Sequence, residues 1–157
     1  MRTAATVALV LLIAAPAPPS NAQSPTGCNT PQDACALFDR FLGAFNRRDW
    51  DAFRVTLADD VTAMLDSPDH PERLDGRAAV EEFFHRIFPP AGSQPSQPPR
   101  PVLPDNLLVQ DLGEAVVISF HIRFPDTIAR RTLVLRRTAL GWRVLHIHGS
   151  SFDLPAH

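Results

Sequence analysis

From Glu114 onward the chain is almost unbroken strand pattern, and that run decides which class of fold it can enter. Val116, Ile118, Phe120, Ile122 and Phe124 alternate with Ser119, His121 and Arg123, so a strand over Glu114 to Phe124 has one apolar and one polar face. Two further strands are predicted over Arg130 to Thr138 and Trp142 to Ser151, with a weaker one before them around Asn106 to Asp111. Connections this short leave no room for the crossover that parallel neighbours need, so these strands form an antiparallel meander. Such a sheet must bury its apolar face against another layer.

The other layer precedes it. Ala34, Leu37, Phe38, Phe41, Leu42 and Phe45 recur at helical spacing, with Thr30 as cap, Pro31 in the first position and Asp33 in the first turn. Asp49 then caps a shorter helix through Trp50, Phe53 and Leu57, and Asp59-Asp60 reads as the turn into a strand over Val61 to Leu65. Asp66 to His70 is loop, Glu72 to Leu74 a short strand, and Asp75-Gly76 opens a third helix over Arg77 to Phe88 whose Val80, Phe83, Phe84 and Ile87 form the buried stripe. Pro89-Pro90 stops that helix, and seven prolines among the sixteen residues from Pro89 to Pro104 predict an extended loop. Helices first and sheet afterwards make an α+β domain.

Residues 1–22 have the pattern of a leader. Arg2 supplies a positive start, Val7 to Ala15 an apolar stretch of nine residues, and Ser20-Asn21-Ala22 the small residues of a cleavage site. That stretch is far short of the roughly 20 residues that span a bilayer, so no transmembrane segment is expected and the destination is secreted or periplasmic. A short segment, 23–32, then leads into a domain over 33–152 and a tail over 153–157. In an oxidising compartment Cys28 and Cys35 are expected to pair, with two reduced, buried thiols as the competing reading.

The charged residues exclude more than they assign. The 157 residues carry fifteen Arg and seventeen acids for a net charge of −2, which offers no basic field for nucleic acid. The chain has no Lys and no Tyr, so lysine Schiff bases, P-loop lysines and tyrosine acids are excluded. Any acid or base acting near neutral pH is then His or a carboxylate raised by burial.

The runs Phe41-Leu42-Gly43-Ala44-Phe45-Asn46-Arg47-Arg48-Asp49-Trp50-Asp51-Ala52-Phe53, Ala58-Asp59-Asp60-Val61 and Leu74-Asp75-Gly76-Arg77-Ala78-Ala79-Val80-Glu81-Glu82-Phe83-Phe84 together resemble the NTF2-like (SnoaL-like, cystatin-like) superfamily. The ending Trp142-Arg143-Val144-Leu145-His146-Ile147-His148-Gly149-Ser150-Ser151 is similar to the branch holding the association domain of calcium/calmodulin-dependent kinase II. The resemblance implies a cone, in which a curved antiparallel sheet wraps a long helix around a pocket and the sheet often dimerises. It also implies which family chemistries are missing. The tyrosine of a ketosteroid isomerase falls on Phe41, and its base on Leu65, one residue from Asp66. The aspartates of a limonene-type epoxide hydrolase have no counterpart beside Arg123, and scytalone-dehydratase chemistry also needs tyrosines. In the kinase association domain an arginine matching Arg123 lines the pocket, so the resemblance puts the polar face of that strand in the cone. The arginine expected on the next strand falls near Thr132, with Arg131 one position away.

On this reading Arg123, His121, His146, His148 and Arg131 are the candidate ligand-binding residues. His146 and His148 on one strand face chelate zinc or copper only if a third ligand such as His121 joins them, and two histidines alone make a poor metal site, so neither metal nor cofactor is expected. Three functions remain: a domain binding a small, anionic ligand in the cone; a lyase, isomerase or hydrolase using His121, His146 or Asp66; and a homodimeric assembly module built on the sheet.

Overall fold

The structure is a computed structural model that describes residues 28, 32–88 and 101–155; the expected leader, Thr30 and Pro31, and most of the proline-rich segment lie outside these. The element order is α1 (Gln32–Arg47), α2 (Trp50–Arg54), β1 (Leu57–Met64), β2 (Leu74–Asp75), α3 (Arg77–Ile87), β3 (Asp105–Asp111), β4 (Ala115–Arg123), β5 (Thr127–Thr138) and β6 (Gly141–Asp153). Six strands form one curved sheet in the order β2-β1-β6-β5-β4-β3. The four last strands are the antiparallel meander, and β1 joins it by pairing in parallel with β6.

The helices close one side of this sheet. The apolar stripe of α1 packs on the apolar face of β4, with the Phe38 and Phe120 rings 5.6 Å apart, and Ala34, Leu37, Phe38, Leu42 and Ala44 are buried. Asp49 caps α2 by accepting from the Ala52 amide at 3.0 Å. Gly76, at φ 81, makes the sharp entry to α3, where a Cβ is poorly tolerated. Cys28 is disulfide-bonded to Cys35, which ties the segment before α1 to its first turns.

Two local expectations are corrected. Leu57 and Asp59-Asp60 are not helix end and turn but belong to β1, because Leu57 already pairs with Val144 and a register shift before Thr62 absorbs the irregularity. Ile87 does not join the buried stripe of α3: Val80 and Phe84 are buried, Phe83 is half-buried and Ile87 is 41% exposed. Both of these outlying side chains border a cavity.

Candidate functional site

The sheet curves away from the helices at the end where β4 and β6 finish, and a cavity of about 280 Å³ opens there. Phe41 and Phe45 of α1, Phe83 and Phe84 of α3 and the inward side chains of β4, β5 and β6 line it. Asn46 shapes one side by exchanging two hydrogen bonds with the Val102 backbone, donating at 3.0 Å and accepting at 2.8 Å. Among all the lining side chains only Arg131 and Asp66 carry charge.

Strand register explains how a cation comes to be there. Ala129, Arg131, Leu133 and Leu135 alternate onto the inward face of β5, and Arg131 sits between Phe120 of β4 and Gly149 of β6. A Cβ on Gly149 would lie 3.3 Å from the Arg131 Cζ and Nη1 and 3.4 Å from its Nε. The missing side chain is therefore what lets the guanidinium lie flat on the β6 backbone. Arg131 Nη1 donates to the carbonyls of Arg130 at 2.9 Å and Ser150 at 3.1 Å, which fixes the plane of the group. Among the described residues, Nε and Nη2 have no protein acceptor. This is the side-on edge by which an arginine grips a carboxylate with two parallel bonds; Arg73 uses the same two atoms on Asp75, at 2.6 and 3.1 Å.

Burial pulls the Arg131 pKa below the ordinary arginine range, and the Asp66 carboxylate opposes that shift. Arg131 stays charged regardless. Asp66 is exposed at the cavity mouth, just beyond the end of β1.

The other candidates lie elsewhere. The expectation that the polar faces of β4 and β6 gather in the cone is not met at this cavity, since none of Arg123, His121, His146 and His148 borders it. The apolar row Val116, Ile118 and Phe120 must face the helices to be buried, and period-two alternation then sends His121 and Arg123 to the outer face. Arg123 is 61% exposed and ion-paired through Nε to Asp105 at the start of β3. His121 stands opposite Arg130 and Ser150, while His148 shares the next rung with Thr132 and Ser119. Two strand spacings, roughly 10 Å, therefore separate His121 from the β6 histidines. No cluster of three metal-ligating residues exists among the described residues.

His146 Nδ1 is 2.7 Å from the Thr62 hydroxyl. Burial, followed by the nearby charges of His148 and Arg73, lowers its pKa. Val144 points inward with Ile147, because the register shift between β5 and β6 leaves Leu145 as an extra residue. The sequence signal for the charged group on the cavity wall was Arg131 within an apolar period-two row. Gly149 has no signal of its own until β5 is laid beside it.

Residues 35–154 match the family of the SnoaL-like domain. The chain is similar to an NTF2-like protein of unknown function from Pseudomonas putida, at 21% identity over 73% of this chain and 81% of that one, TM-score 0.60. It is similar to the CamKII hub homology domain of Chlamydamonas reinhardtii, at 17% identity over 75% and 95%, TM-score 0.57. A candidate calcium/calmodulin-dependent protein kinase type II association domain from Thiobacillus denitrificans is 28% identical over 76% and 94%, TM-score 0.51. No curated protein matches the chain.

Proposed function

Because the chain belongs to the SnoaL-like domain family, whose fold hosts both enzymes and binding modules, we propose from the site itself that it is an exported domain binding a small apolar anion in the cone. The observation that carries this is the Arg131 guanidinium, anchored by Nη1 and with Nε and Nη2 free of protein acceptors, in a cavity whose wall is apolar apart from Arg131 itself and Asp66. A desolvated arginine is costly to hold without an anion, and a carboxylate there satisfies both free donors at once. The apolar lining takes the rest of the ligand. Export is supported by the leader pattern of residues 1–22, by the Cys28–Cys35 disulfide and by the lack of any membrane-spanning helix among the described residues.

The test is calorimetric titration with hexanoate, cyclohexanecarboxylate and benzoate, each against its primary amide. The acids are expected to bind at micromolar to millimolar strength, the amides at least tenfold more weakly, and Arg131→Gln to abolish the difference. Equal binding of acids and amides overturns the reading.

Two observations keep the other functions in view. Asp66 is the one acid or base on the cavity wall, so a catalytic role falls to it and not to His121 or His146. The outer face exposes Met64, Leu108 and Phe152, and a homodimer through the sheet covers them; sedimentation of the purified domain tests that.

A further inference from the structure

Six of the ten phenylalanines of the chain, Phe41, Phe45, Phe83, Phe84, Phe120 and Phe124, border this one cavity. They come from two helices and from β4 and its end, so no local repeat gathers them; the tertiary fold does. Their rings already meet at steep angles. Phe45 and Phe84 lie 6.4 Å apart at 87°, and Phe83 and Phe84 lie 5.5 Å apart at 82°. Edge-to-face contact is the geometry in which aromatic rings gain most beyond area burial. A further ring among them meets both ring faces and ring edges.

Size and polarity narrow the choice. An apolar cavity of about 150 Å³ takes benzene, and this one, at about 280 Å³, is nearly twice that. Apart from Arg131 and Asp66 no side chain on its wall can make a polar bond to a ligand. Phe120 is the rung neighbour of Arg131, so the guanidinium and the ring cluster meet at one point. The depth order supports the same arrangement. Leu133 and Ile147, one rung further in, are 1% and 3% exposed, while Phe124 towards the mouth is 37% exposed.

We infer that the ligand class of this cavity is a compact aromatic monocarboxylate of one or two fused rings, its carboxylate on the Nε–Nη2 edge of Arg131 and its rings among the phenylalanines. This rests on the anion-binding reading above and adds the aromatic requirement. Calorimetric titration with 2-naphthoate and with decalin-2-carboxylate, its fully saturated counterpart, separates the two ideas, since charge and carbon skeleton are shared.

The expected result is about tenfold tighter binding of 2-naphthoate. Phe83→Leu and Phe124→Leu, at half-buried and exposed positions on the cavity wall, are each expected to reduce that preference about threefold. Equal binding of the two acids, with Arg131→Gln weakening both, overturns the aromatic class and leaves the anion site standing. Failure of both acids to bind, or binding that Arg131→Gln leaves untouched, overturns the anion site and the aromatic class with it.

Discussion

Arg131 and Arg123 lie on adjacent strands of one sheet and face opposite ways. Arg123 is solvated and paired with Asp105, so its charge is spent on a surface contact of the kind usually worth less than about 1 kcal/mol. Arg131 is half-buried over Gly149, held by two backbone carbonyls, and lines the cavity. Residue type is the same and strand context similar. On the proposed function, what separates a recognition group from a structural one is the face it occupies and whether a carboxylate of the protein already fills its donors.

The sharpest way to break this comparison is to remove each arginine in turn. Arg131→Gln is expected to weaken acid binding by about 2 to 3 kcal/mol, roughly 30- to 150-fold, while thermal stability holds or rises because a desolvated cation is gone. A marked loss of stability with unchanged binding, seen by calorimetry and thermal unfolding, would make Arg131 structural. Next in size is Gly149→Val. Its Cβ would press on the guanidinium at 3.3 Å, and displacing it from the carbonyls of Arg130 and Ser150 is expected to weaken acid binding about tenfold.

Asp66→Asn sharpens the contrast from the other side. The exposed carboxylate repels an incoming anion, so its removal should tighten acid binding about threefold at low salt, and the gain should vanish near 1 M salt. Arg123→Gln is expected to leave binding unchanged and shift stability by less than about 1 kcal/mol. The smallest effect belongs to His146 on the outer face. Burial and the charges of His148 and Arg73 hold its folded pKa below the ordinary 6.5, so the unfolded chain takes the proton first. Stability should therefore be complete above that value and fall on acidification below about pH 6.5, and His146→Gln should flatten the slope.

Much of the fold was legible because apolar residues repeat with the period of the element that buries them. Phe38, Phe41 and Phe45 at helical spacing and Val116, Ile118 and Phe120 at strand spacing announce α1 and β4. Asp59-Asp60 misled because two acids look like a turn when the pairing partner of Leu57 is 87 residues away, at Val144. Parallel pairing of β1 with β6 is likewise a long-range contact without local signature.

For the site, the period of two determined from sequence alone that His121 and Arg123 share one side of β4 while Phe120 and Ile122 share the other, since that is a property of the extended backbone. Which side meets the helices follows from burial of the apolar row, and that physical argument outranks the family resemblance that pointed the polar face inward. Only the tertiary structure decided that Arg131 lies against a glycine and shares a cavity wall with six phenylalanines. Those neighbours come from α1, α3, β4 and β6, and strand register and helix packing, not sequence proximity, set the distances between them.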